Sequence, residues 1–154
     1  MTETTKPIPE NRAGAVPYLS IRNASEALDF YKKAFGAHEL FRLGHNGKIG
    51  HAEIAIGQAV VMLSDESPDF DALSPATIGG TPVVIHLYVA DVDAFTEKAV
   101  AAGLKVLRPI ADQFYGDRGG KFEDPFGHRW WIATHKEDVP PDEMKRRAAA
   151  LFGG

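Results

Sequence analysis

The chain has 154 residues, 44% of them hydrophobic and none of them cysteine, enough for one domain or two small fused modules but without a disulfide framework, thiolate nucleophile or cysteine-held metal. Seventeen basic and 21 acidic side chains leave a formal charge of −4, which argues against the broad basic face that a nucleic acid needs. No apolar run approaches the ~20 residues of a membrane span, and Met1-Thr2-Glu3-Thr4-Thr5-Lys6 lacks the apolar stretch of a signal peptide, so a cytoplasmic protein with no nucleic-acid or membrane partner is expected.

Residues 1–13 are polar and proline-containing and read as a flexible leader. A strand follows in Val16-Pro17-Tyr18-Leu19-Ser20-Ile21. Asn23 then offers an N-cap to a helix whose Ala27, Leu28, Phe30, Tyr31, Ala34 and Phe35 recur at helical spacing, with Gly36 as the stop. Residues 39–43, 50–56 and 59–63 read as strands, the last two joined by a two-residue Gly57-Gln58 turn. Residues 65–82, rich in Asp, Ser, Pro and Gly, read as a linker.

The pattern then repeats at an offset of about 70 positions. A strand in Val83-Val84-Ile85-His86-Leu87-Tyr88-Val89 precedes a helix capped by Asp91 and stopped by Gly103. A strand at 105–107 comes next, and a final hairpin is bracketed by Gly119-Gly120 and by the Asp124-Pro125-Phe126-Gly127 turn. Pro140-Pro141 opens a C-terminal helix with one apolar stripe of Met144, Ala148 and Leu151. The reading is an α+β fold of two βαβββ modules, residues 14–64 and 83–135. Together they form a domain at 14–136 with curved mixed sheets around a cleft, followed by a helical tail at 137–154.

Pro17-Tyr18-Leu19, the helix through Phe35-Gly36-Ala37, Gly50-His51-Ala52-Glu53-Ile54 and Asp124-Pro125-Phe126-Gly127-His128-Arg129-Trp130 together resemble the vicinal oxygen chelate superfamily. Its glyoxalase and bleomycin-resistance members, in the PhnB-like branch, are the nearest match, over roughly residues 14–136. The resemblance implies a homodimer whose partner completes the clefts, and in the metal enzymes a ligand on the first and last strand of each module. Here those positions read as Val16, Met62, His86 and Trp131, of which only His86 can hold a hard divalent cation.

A displaced set remains, because Glu53 should lie opposite Met62 and His51 opposite Ser64, on one face of the sheet. With His86 they supply three ligands for zinc, nickel or manganese, or else His51 and Glu53 form a hydrogen-bonded pair on the cleft wall. Tyr18, Tyr88, Phe122 and Trp131 are expected to face the same side as His86 and Met62, giving an aromatic lining suited to an organic ligand. Arg118 and Arg129 could hold an acidic group of that ligand or be paired with neighbouring carboxylates. Trp130 and Ile132 alternate onto the packing face.

Two functions follow. The favoured one is a small-molecule binder with no resident cofactor, similar to bleomycin-resistance proteins and taking an organic ligand, an antibiotic among the candidates, on Tyr18, His51, Met62, Tyr88, Arg118, Phe122 and Trp131. The other is a glyoxalase-like lyase or isomerase in which Glu53 and His86 carry catalysis and a divalent metal polarises two substrate oxygens.

Overall fold

A computed structural model describes residues 4–153, and these fall into two compact units that divide between Gly79 and Gly80. The first three positions of the expected leader lie outside the described residues.

The first unit runs β1 (Tyr18–Ile21), α1 (Ala24–Phe35), β2 (His38–His45), β3 (Lys48–Ile56) and β4 (Ala59–Asp65). Its sheet has the order β1-β4-β3-β2, with β1 parallel to β4 and the other pairs antiparallel. Strand alternation divides this sheet into two faces. Leu19, Ile21, Ala52, Ile54, Val61 and Leu63 point to one side and are almost wholly buried with Ala27, Leu28, Tyr31, Ala34 and Phe35 of α1. The helix stripe and the strand alternation therefore meet as a single core. Ile56 and Ala59 close the β3–β4 hairpin around Gly57-Gln58, and Gly57 takes a φ of 59° that favours glycine.

Helix α1 does not begin as the sequence suggested. Asn23 occupies the N-cap position at φ 74° and its side chain makes no capping bond, donating instead to Glu26 Oε2 at 2.8 Å. The helix N-terminus is held from a distance: Asp65 Oδ1 accepts the N–H groups of Asn23 and Ala24, and its Oδ2 accepts that of Ile49 at 2.6 Å. One carboxylate thus joins β4, α1 and the start of β3.

Residues 65–79, expected as part of an open linker, belong to the first unit and carry a 3₁₀ turn at Pro68–Phe70 and α2 at Pro75–Ile78. Glu66 organises them, accepting from Ser74, Thr77 and Arg22. The Thr77 hydroxyl is the foremost of the donors that hold this carboxyl well below its usual range, at about 2.

The second unit repeats the plan with β5 (Val84–Tyr88), α3 (Val92–Ala101), β6 (Lys105–Asp112), β7 (Asp117–Glu123) and β8 (Arg129–His135), in the order β5-β8-β7-β6. Asp91 caps α3 through the Ala94 N–H, while Thr134, placed on β8 as Asp65 is on β4, accepts the Val92 N–H and donates to the Val89 carbonyl. Gly119 and Gly120 do not form a turn; they lie inside β7. A Cβ on Gly119 would stand 2.8 Å from the Ile132 carbonyl oxygen and 2.9 Å from the Trp131 indole nitrogen, and one on Gly120 would stand 2.7 Å from the Arg108 carbonyl oxygen. Close strand and indole approach, rather than chain reversal, requires these glycines.

Asp124 explains the Asp-Pro-Phe-Gly-His turn. Its Oδ1 accepts the N–H groups of Phe126 and His128, and its Oδ2 accepts the buried Trp130 indole N–H at 3.0 Å. Helix α4 (Pro141–Phe152) is tied down by Arg147, which bonds Glu143, Glu137 and the Phe114 carbonyl. Leu151 and Phe152 at its end stay exposed.

Replacing Asp124 by alanine leaves a buried indole N–H and two turn amides without their acceptor. We expect a loss of about 2–4 kcal/mol in stability. In urea unfolding the midpoint should fall with an unchanged slope; an unaltered midpoint would remove Asp124 from this role.

Candidate functional site

In each unit the helix covers one sheet face, and the candidate residues collect on the other, with the exceptions of Phe122 and Arg118. In the first unit Tyr18 and Glu53 both pair with Met62, from β1 and β3, so all three side chains share the open face. An irregularity between Glu39 and Phe41 leaves Leu40 as an extra residue and sets Phe41 opposite Glu53. His51, two residues before Glu53, joins the same face. The Tyr18 phenol lies 2.9 Å from His51 Nδ1, and His51 Nε2 is 3.8 Å from Glu53 Oε2. Arg12 Nε donates to Glu53 Oε1 at 3.1 Å. The arrangement is a chain of partners, Tyr18–His51–Glu53–Arg12, in which Glu53 is only 16% exposed while Tyr18 is 49% exposed.

In the second unit His86 pairs with Trp131 and Tyr88 with Ala133, so His86, Tyr88 and Trp131 share the open face. The His86 ring centroid lies 4.8 Å from that of Tyr88 and 6.5 Å from that of Trp131. Trp131 rests against Gly119, its indole nitrogen buried without a hydrogen-bond partner. Tyr88 donates to Asp117 Oδ2 at 2.7 Å; the other oxygen of this buried carboxylate is 2.7 Å from His135 Nδ1, and His135 Nε2 is 2.7 Å from Asp138. The bond to Asp117, and then burial, raise the Tyr88 phenol above its ordinary range. Bonds to Asp117 and Asp138 raise His135 likewise. Because its O–H donates to Asp117, the Tyr88 oxygen is left to act as an acceptor toward any further group.

Three expectations are corrected. Phe122 pairs with Trp130 and is buried with it on the helix face, so it lines no open surface. Arg118 pairs with Thr134 on that same helix face and forks onto Asp93 of α3 at 2.9 and 3.0 Å, with Asp112 at 3.2 Å. Its charge is thereby spent on its neighbours; Arg129 is similarly paired with Glu123. Finally, Val16 precedes β1, and Tyr18 is the residue that pairs with Met62 as His86 pairs with Trp131. The four equivalent positions are therefore Tyr18, Met62, His86 and Trp131.

These four do not fit a hard divalent cation. The Tyr18 phenol is engaged with His51, a thioether is a soft ligand, and an indole nitrogen has no free lone pair. His51 and Glu53 do come together, but no group of three or more His, Asp or Glu side chains suited to a metal forms among the described residues, and Glu53 already faces a guanidinium. His86, the third member of the displaced set, belongs to the second unit.

Two contributors escaped the sequence. Arg12 lay in a segment read as free leader. His135 carries no local motif, but it follows Trp131 and Ala133 on alternate β8 positions and pairs with Asp117 across the hairpin.

His135 gives a pH prediction. A raised folded pKa means that its contribution to stability is complete below the ordinary imidazole value of about 6.5 and is lost as pH climbs through the higher folded value. An NMR titration should place His135 above that ordinary value. The decline of stability above pH ~6.5 should flatten in His135→Gln; a normal titration, or an unchanged profile in the variant, contradicts the assignment.

With this geometry in place, comparison with known proteins is informative. The model of the Glyoxalase/Bleomycin resistance protein/Dioxygenase superfamily matches residues 16–132. An uncharacterised protein of Mycobacterium bovis is 44% identical over 142 residues, spanning 90% of this chain and 93% of its own length. Among solved structures, TioX of Micromonospora sp. ML1 superposes with a TM-score of 0.64 at 25% identity, covering 83% of this chain and 100% of TioX. The fosfomycin resistance protein FosX of Mesorhizobium loti, at 17% identity, shares the fold with a TM-score of 0.59 over 79% of this chain and 91% of its own. The chain belongs to the glyoxalase/bleomycin resistance protein/dioxygenase superfamily.

Proposed function

We propose that the protein binds a small organic molecule on the aromatic open faces of its sheets, in the manner of a bleomycin-resistance protein rather than of a metal enzyme. The observation that carries this reading is the alternation of Trp130 and Trp131 on β8. Trp130 is fully buried with its N–H bonded to Asp124, whereas Trp131 keeps part of its ring exposed beside the exposed His86 and Tyr88. An exposed cluster of rings bordered by a few oriented polar groups matches what organic ligands require. Tyr18, His51, Glu53 and Met62 form the corresponding surface of the first unit. Antibiotics belong among the candidate ligands because of the family, and a cytoplasmic location suits such a role.

The same reading makes the protein a homodimer. Each module leaves its open sheet face uncovered, and Leu40, Phe41 and Leu43 on edge strand β2 and Leu151 and Phe152 on α4 expose apolar surface. Sedimentation at tens of micromolar should give a dimer, since a standard-size interface holds there; a monomer at that concentration refutes this part.

Planar antibiotics and small keto acids are suitable screening sets for thermal shift and fluorescence. Trp131→Ala should weaken a ligand found in this way by about 1–3 kcal/mol with little change in stability, whereas Trp130→Ala should cost about 3–5 kcal/mol of stability. Ligands that bind Trp131→Ala as tightly as the parent would overturn the proposal.

A further inference from the structure

We propose that Glu53 is a receptor for a flat organic cation, a guanidinium, amidinium or aromatic ammonium group, and that Arg12 of the chain's own leader occupies it in the free protein. This rests on the reading of the open faces as ligand-binding surfaces and names the charge that one of them selects.

Glu53 sits in the middle of β3, on the open face, with its side chain 16% exposed. A carboxylate so withdrawn from water needs a cationic partner, and strands β1 to β4 supply none to it; the neighbouring His51 Nε2 is 3.8 Å away and carries charge only when protonated. The partner comes from outside the sheet, as Arg12 Nε at 3.1 Å.

The segment that delivers Arg12 is weakly fixed. Its described residues form no helix or strand. Among its described residues before Pro17, the backbone bond is that of the Arg12 N–H to the Pro9 carbonyl, and the Arg12 Nη1 bond goes to the adjacent Asn11 carbonyl. Gly14, at φ 79° with open space around its Cα, follows Arg12 and provides a pivot. Firm attachment resumes where the Pro17 carbonyl accepts the Met62 N–H at 2.9 Å. Arg12 is thus held chiefly by the ion pair, in the way a ligand would be.

The surroundings suit a flat cation. The rings of Tyr18 and Phe41 lie 5.4 and 6.3 Å from that of His51, whose imidazole borders the carboxylate. A cavity of about 510 Å³ lined by Arg12, Ala13, Leu40, Ala55, Gly57 and Val60 opens beside the ion pair and gives room for the body of a ligand once the arginine swings away. Ala55 and Val60 pair on the same open face as Glu53 and Met62, so this space continues the surface on which the carboxylate stands.

Benzamidine, a planar aromatic amidinium, is the probe. It should be titrated by calorimetry and by NMR chemical shifts into the full chain, Arg12→Ala, Arg12→Gln, Glu53→Gln and the Arg12→Ala/Glu53→Gln double variant. Removing the internal competitor should tighten binding by up to about fivefold, the worth of a partly exposed ion pair. The double variant should fall back to or below the parent, and neutral benzyl alcohol should gain nothing from the loss of Arg12. Arg12→Gln should behave as Arg12→Ala and serves in its place if the alanine variant unfolds.

Binding to the Arg12 variants no tighter than to the parent, or tightening that survives Glu53→Gln, overturns the inference. Trp131-dependent binding of screened ligands would in that case still stand. Conversely, benzamidine behaving as expected while screened ligands ignore Trp131 would sink the broader reading and leave the cation site.

Discussion

Each sheet buries one face and leaves the other open, and the rest of the structure depends on that division. Side chains alternate across a strand, so covering one face with α1 or α3 commits every second residue to the core and frees its neighbour. The adjacent Trp130 and Trp131 show the consequence most clearly: the same side chain is core at one position and surface aromatic at the next. A one-residue slip of β8 would exchange them, so burying Trp130 with its N–H on Asp124 also fixes where Trp131 points.

Long-range polar contacts secure that register. Asp65 ties the end of β4 to the start of α1, and Thr134 does the same for β8 and α3. Both accept backbone N–H groups that a helix start would otherwise leave without partners. Glycine contributes by absence: β7 passes close enough to the Trp131 indole and to the Arg108 carbonyl that positions 119 and 120 have no room for a Cβ.

The open faces are polar in an economical way. In the second unit a buried carboxylate, Asp117, orients a tyrosine and a histidine together. In the first, a withdrawn carboxylate, Glu53, lies between a histidine and an arginine. Arg118 and Arg129, by contrast, are consumed by acidic neighbours. Charge that is paired within its own unit contributes to structure, whereas charge met only by a loosely held segment remains available to a ligand.

The repeated βαβββ plan, the helix stripes, the Gly57-Gln58 hairpin, the Glu53–Met62 pairing and the open-face placement of Tyr18, His86, Tyr88 and Trp131 could all be read from local periodicity, because period and turn chemistry are properties of neighbouring residues. Tertiary structure decided the rest. Phe122 and Arg118 lie on the helix face because they pair with Trp130 and Thr134 of β8, a register that only the assembled hairpin fixes. Asn23 lost its capping role to a carboxylate 42 residues away, and Arg12 gained a role because Glu53 lacked a cation within its own sheet. These are contacts between residues far apart in the chain, and nothing in the local pattern of either partner specifies the other.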